Sequence, residues 1–153
     1  MRAEGEIRRI EDGKRKYLPL LLLGDEQESL IDGYLDRGDL FVWEQKGKAA
    51  AVCVVTREGP GLYEVQNIAV APSHQRQGIG RAMVEYLWLY YPDLTTLRLG
   101  TGDSPSTVSF YQALGFREAG REKDYFSRCY DHPIYEDGKL LRDRILFQKT
   151  ITP

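Results

Sequence analysis

A short loop containing two glycines has the residue types and spacing that most clearly suggest chemistry. The apolar segment 68–71 ends at Pro72, and Gln75, Gly78 and Gly80 then lead into a stretch with helical spacing. Glycine has no Cβ, so the backbone at these positions can bend sharply and approach a ligand closely. A strand that passes through such a turn into a helix directs several backbone N–H groups, and the positive end of the helix dipole, at one point. The loop therefore predicts an anion site suited to phosphate.

Two arginines flank the loop and add positive charge, Arg76 before the first glycine and Arg81 after the second. Two common kinds of phosphate loop do not match this pattern. A nucleotide-hydrolase P-loop needs a lysine directly after its last glycine, where this chain has Arg81. A dinucleotide-binding loop needs a third glycine at the position that Met83 occupies here. A nucleotide-binding α/β domain is therefore disfavoured.

The pattern that fits is Gln-x-x-Gly-x-Gly over residues 75–80, and it resembles the pyrophosphate loop of the GNAT superfamily, the acetyl-CoA-dependent N-acetyltransferases. The apolar run and proline over 68–72 are similar to the strand that leads into that loop in the family. The later segment 110–116 also resembles the family. The resemblance spans nearly the whole chain and is strongest over 64–116.

Length and composition set further bounds. The 153 residues, with an apolar content of 42%, predict a single domain over 1–153 with a substantial core. The net charge of −2 provides no basic field for nucleic acid. Cys53 and Cys129 are too few for a disulfide framework and lack metal-ligand spacing. With no signal-peptide core and no segment long enough to span a membrane, we expect a cytoplasmic protein that uses no metal.

The order of predicted elements agrees with the fold of the family. Apolar periodicity and turn residues predict an early hairpin, a strand into the loop and a helix after it. A right-handed crossover through that helix would make the next strand parallel to its predecessor. We therefore expect an α/β (α+β) fold of GNAT type, with a mixed, mostly antiparallel sheet flanked by helices. The predicted strands are 6–10, 40–44, 49–56, 62–71, 94–99, 116–126 and 140–151, and the predicted helices are 14–23, 25–37, 80–91 and 106–114.

The resemblance implies how acetyl-CoA would be held. The loop amides would bind the pyrophosphate, the strand before the loop would line the pantetheine arm, and an amide near Ile68 would polarise the thioester oxygen. Ser104 occupies a place that is often Asn in the family; serine can cap the following helix but reaches less far toward the cofactor. The implied cofactor-binding residues are Ile68, Ala69, Val70, Gln75, Arg76, Gln77, Gly78, Ile79, Gly80, Arg81, Ser104, Ser106 and Tyr111.

Tyr111 is the candidate general acid, because family members often have the group that protonates the departing thiolate at this place. A tyrosine with a pKa of about 10 and a thiol with a pKa of about 8.5 are nearly matched for proton transfer. The alternative is a core tyrosine whose hydroxyl only forms a hydrogen bond. Either role is compatible with its position in the segment 110–116.

Glu64 is the candidate general base. It shares one strand face with Gln66 if alternation is unbroken, and family members often place a carboxylate on this strand that acts through water. The alternative is a solvated charge on the strand. His74 is interpreted as an exposed residue beside the loop, and His132 with Asp131 is a weaker alternative for the base.

The expected activity is direct transfer of an acetyl group from acetyl-CoA to a primary amine of a small molecule or peptide. A GNAT-like module that binds acyl-CoA without turnover is the alternative, and a homodimer is left open. The acceptor-binding segments of the family correspond to 14–38 and 124–138, where the resemblance is weakest. The segment 24–39 contains six acidic residues and one arginine, which favours a cationic or neutral acceptor over an acidic one. The alternative is a solvated helix face with no role in acceptor binding.

The loop assignment is testable by substitution of its second glycine. In Gly80→Glu, a charged side chain would block the close approach of the pyrophosphate to the backbone. We expect CoA to bind this variant more weakly than the parent chain, as measured by titration calorimetry. Unchanged CoA affinity would show that the loop is not the phosphate site.

Overall fold

The first part of the chain is built on an antiparallel sheet. In the computed structural model, which describes residues 4–151, its strands are β1 (Glu6–Ile10), β2 (Asp39–Gln45), β3 (Lys48–Gly59) and β4 (Leu62–Val70), paired in chain order. Strands β2 and β3 are buried on both faces over most of their length. This burial explains their nearly continuous runs of apolar, β-branched and aromatic residues. Lys46 and Gly47 both have positive φ and form the tight turn that joins β2 to β3.

Three helices accompany this sheet: α1 (Leu18–Gly24), α2 (Glu28–Asp32) and α3 (Ile79–Tyr90). A 3₁₀ turn over Lys14–Tyr17 leads into α1. Pro19 lies in the first turn of α1, where its missing N–H leaves no helical hydrogen bond unmade. The predicted helix over 25–37 is limited to α2. Leu21, Ile31 and Leu35 belong to one buried cluster with strand residues such as Val52.

In the second part of the chain, strand β9 (Arg144–Thr150) lies between β5 (Thr96–Gly102) and β6 (Arg117–Glu122), antiparallel to both. The last strand of the chain thus lies at the centre of these three strands. The core of this part includes Leu97, Tyr111 and Phe147. The other elements of this part are α4 (Pro105–Ala113), α5 (Tyr125–Cys129), and the short hairpin of β7 (Tyr135–Glu136) and β8 (Lys139–Leu140).

The prediction of a strand over 116–126 is wrong at its end. Strand β6 stops at Glu122, and Asp124, with a φ of 54°, turns the chain into α5. The backbone N–H of Asp124 donates to Asp143 Oδ1 at 3.0 Å and fixes this turn. Asp143 lies directly before β9, so the contact depends on a segment distant in sequence. Helix α5 therefore cannot be predicted from neighbouring residues alone.

Strand β5 is longer than predicted for a similar reason. The sequence predicted a loop from Gly100, but Gly100 and Gly102 pair with Leu146 and Arg144 of β9. A Cβ on Gly100 would lie 2.0 Å from Cζ of Arg144, so the guanidinium occupies the space that a side chain would need. The Leu141 side chain occupies the corresponding space beside Gly102, so neighbouring side chains cover both glycines of the extended strand.

The contacts within the chain define two compact units, one up to Leu94 and one from Thr95 onward. The prediction of a single domain over 1–153 stays a prediction. Among residues 4–151, no helix has the length and apolar character needed to cross a membrane.

Lys14 provides a test of how the α1–α2 segment is held. Its Nζ donates to the carbonyl oxygens of Gly38 at 2.6 Å and Leu35 at 3.0 Å, which lie in the turns after α2. Lys14→Met keeps the aliphatic stem but leaves these carbonyls without their charged donor. We expect the free energy of unfolding to fall by about 1.5–3 kcal/mol, as measured by urea denaturation.

Lys48→Met is the matched control, since Lys48 is exposed at the start of β3. Its free energy of unfolding should stay within about 0.5 kcal/mol of the parent value. Equal effects of the two substitutions would contradict a structural role for the Lys14 ammonium.

Candidate active site

The predicted phosphate loop joins β4 to α3. After β4, residues Pro72–His74 form a 3₁₀ turn, and Gln75 then folds back so that its Nε2 donates to the carbonyl oxygen of Val70 at 3.1 Å. Gly78 is the N-cap of α3, with φ 81° and ψ 12°, and its carbonyl accepts the first helical hydrogen bond from Ala82. The side chain of Gln75 therefore closes the loop onto the end of the strand.

Arg76 has a φ of 64°, which is uncommon for a residue with a side chain. Holding a non-glycine residue in this left-handed conformation costs roughly 1–2 kcal/mol. Left-handed residues in a loop before a helix turn successive N–H groups toward the same side and create an anion-binding concavity. The conformations of Arg76 and Gly78 therefore support the phosphate role inferred from the sequence.

The two flanking arginines differ in their surroundings. Arg76 is exposed and makes no hydrogen bond or ion pair with any residue in the range 4–151. Arg81 lies 3.4 Å from Glu85 Oε2 on the surface of α3, so part of its charge is compensated. Ile79 is buried and Gln77 is half-buried, so Ile79 can offer a ligand only its backbone. The positive charge nearest the strained part of the loop is that of Arg76.

Strand β4 alternates strictly between buried and half-buried residues. Glu64, Ile68 and Val70 lie on the half-buried face, and Ala69 lies on the buried face, where it can contribute only its backbone. Glu64 and Gln66 are both half-buried, so the burial pattern agrees with the prediction that they share one face of the strand. The alternation persists although Gln66 is the extra residue of a β-bulge, since Val54 pairs with Asn67 and the next β3 residue pairs with Val65.

The remaining predicted site residues belong to the second unit. Ser104 is fully buried at the N-cap of α4, but its side chain does not cap the helix; its Oγ lies 3.2 Å from Ser106 Oγ. Ser106 Oγ in turn donates to Asp137 Oδ2 at 2.5 Å. Both hydroxyl groups therefore have partners within this unit. Their contact with a cofactor stays a prediction.

Tyr111 lies on α4 with only 5% of its surface exposed. Its ring packs against Phe116 and Phe147, with centroid distances of 5.7 Å and 6.0 Å. The ring is thus part of the core of this unit, and this placement is compatible with either predicted role of the hydroxyl.

A cleft of about 510 Å³ lies in the second unit beside α5. Phe126 and Tyr130 stack in it with ring centroids 5.4 Å apart, and His132 Nδ1 lies 2.5 Å from Asp131 Oδ1. The sequence indicated the His132–Asp131 pair but missed the aromatic wall, because Phe126 was assigned to the end of a strand and no helix was predicted after it. Within the described range, no group of His, Cys, Asp and Glu side chains could hold a metal ion.

Comparison with known proteins agrees with this geometry. The family model described as "Acetyltransferase (GNAT) domain" matches residues 36–118, more than half of the chain, and it includes parts of both units. The uncharacterized N-acetyltransferase YvbK of Bacillus subtilis is 35% identical over 143 residues, covering 90% of this chain and 92% of the relative. The [ribosomal protein bS18]-alanine N-acetyltransferase of Escherichia coli is 36% identical over 91 residues, covering 56% of this chain and 60% of the relative.

A solved structure of a GNAT family acetyltransferase from Elizabethkingia anophelis, with acetyl-CoA bound, has a TM-score of 0.89 to this chain. The two sequences are 31% identical, and the match covers 96% of this chain and 98% of the chain in the solved structure. The chain belongs to the GNAT family of acetyltransferases. The predictions of this family, of its α/β fold and of an acetyltransferase are thereby confirmed, and the acetyl-CoA bound in the similar structure agrees with the predicted cosubstrate.

Substitutions at Arg76 can separate its backbone conformation from its charge. Arg76→Ala removes the guanidinium and keeps the left-handed strain, whereas Arg76→Gly removes both. If the guanidinium contacts a phosphate, the Kd of CoA should rise at least roughly tenfold in both variants, because a charged hydrogen bond contributes about 1.5–3 kcal/mol. The glycine variant should be more stable than the alanine variant by about 1 kcal/mol. Calorimetric titration with CoA and thermal unfolding measure the two effects.

Wild-type CoA affinity in Arg76→Gly would contradict a phosphate contact of the side chain. Equal stability of the two variants would contradict the left-handed conformation.

Proposed function

We propose that this acetyltransferase transfers the acetyl group of acetyl-CoA directly to a primary amine of a small molecule or peptide while both substrates are bound. The observation that carries the proposal is the loop from β4 to α3, in which Arg76 and Gly78 adopt left-handed conformations before a helix N-terminus. The family match over 36–118 includes this loop. The loop amides and Arg76 would hold the pyrophosphate of CoA, and the half-buried face of β4 would line its pantetheine arm.

Direct transfer is supported by the state of Cys53. Its side chain is completely buried in β3, and burial raises the pKa of the thiol to about 12. A thiol with so high a pKa is protonated at neutral pH and is a poor nucleophile, so an acetyl-cysteine intermediate at Cys53 is disfavoured. The amine would then attack the thioester carbon itself.

The proposed acetyl transfer uses two side chains, one as base and one as acid, and one backbone hydrogen-bond donor. The amine nitrogen forms a bond to the thioester carbon, and the backbone N–H at Ile68 stabilises the negative charge that develops on the oxygen. Glu64 receives the proton of the amine through a water molecule. The carbon–sulfur bond then breaks, and Tyr111 protonates the departing thiolate. Glu64 afterwards releases its proton to water and Tyr111 takes one up from water, so both side chains return to their starting states. The half-buried position of Glu64 on the same face of β4 as Ile68 supports its assignment as the base.

The acceptor is proposed to be neutral or cationic, but electrostatic attraction is weaker than the sequence suggests. Of the acidic residues in 24–39, Glu28 and Asp32 both pair with Arg15, and Asp39 pairs with Arg9 at 3.0 Å. These pairs neutralise part of the charge that would attract an ammonium ion. The relative that acetylates the alanine of a ribosomal protein supports a peptide amine as one class of acceptor.

A parallel screen of amines tests the activity. The panel contains peptides with an N-terminal alanine, lysine peptides, amino acids, polyamines and an aminoglycoside, and CoA release is followed with a thiol reagent. We expect release that depends on one class of amine, with initial-rate lines that intersect. Binding of acetyl-CoA without release for any amine would favour the alternative of an acyl-CoA-binding module. Parallel lines together with an isolable acetyl-enzyme would contradict direct transfer.

Tyr111→Phe tests the acid. The substitution keeps the ring that packs against Phe116 and Phe147, so the thermal midpoint should change little. A hydrogen bond that strengthens as the thiolate forms affects kcat more than ground-state binding. We expect kcat to fall roughly 10²-fold, the low end for general-acid catalysis, and the Kd of acetyl-CoA to stay unchanged. Wild-type kcat in a folded variant would leave Tyr111 as a packing residue only.

A further inference from the structure

A closed network of hydrogen bonds connects the end of α1 to the centre of β4. Nδ2 of Asn67 donates to the carbonyl oxygen of Leu21 at 2.9 Å and to the hydroxyl of Tyr34 at 3.0 Å. That hydroxyl donates to Asp25 Oδ2 at 3.0 Å, and the backbone N–H of Asp25 donates to the same Leu21 oxygen at 3.0 Å. We call these four residues the Asn67 network.

The orientation of the Asn67 amide follows from its partners. A backbone carbonyl only accepts hydrogen bonds, so the group that faces Leu21 must be the NH₂. Asn67 is 4% exposed and Tyr34 is 7% exposed, so these contacts lie within the core. Buried hydrogen bonds of this kind fix geometry strictly, because each partner that loses its contact is left unsatisfied away from water.

Gly24, at the end of α1, brings this helix directly against the backbone of β4. A Cβ on Gly24 would lie 2.1 Å from Asn67 Oδ1 and 3.1 Å from the carbonyl oxygen of Ile68. Asn67 Oδ1 accepts no hydrogen bond from residues 4–151 and faces the Cα of this glycine. The helix end can approach the Asn67 side chain and the Ile68 carbonyl this closely only because residue 24 has no side chain.

We propose that Asn67, Tyr34 and Asp25 are positioning residues that fix the peptide group between Asn67 and Ile68. This inference rests on the proposed function, in which the N–H of that peptide stabilises the charge on the thioester oxygen. Asn67 and Ile68 pair with Val54 and Cys53 of β3, and the β-bulge at Gln66 interrupts this pairing directly before Asn67. The network holds the Asn67 side chain from the side of α1 and so adds a second constraint at the residue where regular pairing resumes. The placement of α1 and α2 thereby becomes part of the catalytic geometry.

Tyr34→Phe opens the network by removal of one oxygen atom. Asn67 keeps its bond to Leu21, so the fold should persist with a modest loss of stability. If the network positions the Ile68 amide, kcat for acetyl transfer should fall roughly tenfold, equivalent to about 1.4 kcal/mol of transition-state stabilisation. The Kd of CoA should stay unchanged, because the phosphate loop is not altered. The assay is thiol release with the best amine of the screen, together with calorimetric binding of CoA.

Val42→Ala is the control for stability alone. Val42 lies on β2 in the same buried cluster as Tyr34, but it contributes no polar group to the Asn67 network. We expect this variant to lose more stability than Tyr34→Phe and to keep wild-type kcat when assayed well below both thermal midpoints. Equal loss of kcat in the two variants would show that the effect of Tyr34 is only structural.

A second substitution tests the contact itself. Gly24→Ala should lower kcat because its Cβ displaces Asn67 and Ile68. If Gly24→Ala and Asn67→Ala act through one contact, the double variant should have a kcat close to that of Asn67→Ala alone. Additive losses, or wild-type kcat in Tyr34→Phe, would overturn the inference. Absence of thiol release from the parent chain with every amine would instead contradict the proposed function.

Discussion

Strand β4 has to satisfy two different environments at once, and the rest of the candidate site depends on this constraint. One face is buried, and Asn67 on that face is bound to the end of α1. The other face is half-buried and contains Glu64 and Ile68. Since side chains alternate along a strand, a shift of one residue would exchange the two sets. The core therefore determines which residues of β4 lie on the half-buried face.

The predicted phosphate loop extends this constraint beyond the end of the strand. Gln75 attaches the loop to the carbonyl of Val70, so the last residue of β4 also fixes the first part of the loop. The strain at Arg76 can persist because such attachments hold the backbone on both sides. The net charge of the chain is −2, so attraction of an anionic cofactor depends on local donors rather than on the overall field.

Pairing of charges changes how the α1–α2 segment is understood. The sequence shows an acidic segment, whereas the structure shows carboxylates that share Arg15 and Arg9. Lys14 binds the carbonyls of the turns after α2, so this segment is held by cations as well as by apolar packing. Its role in the proposed mechanism is therefore one of position more than of charge. The Asn67 network is a second polar attachment of the same segment.

The sequence by itself determined the features that depend on neighbouring residues. The loop of Gln75, Gly78 and Gly80, the helix after it and the hairpin of β2 and β3 were all predicted, because turns, caps and periodicity act over a few residues. Only the tertiary structure decided α5, the pairing of Arg15 and the Asn67 network. Asn67 is 46 residues from Leu21 and 33 from Tyr34 in the chain, and a hydrogen bond across such a separation leaves no local pattern.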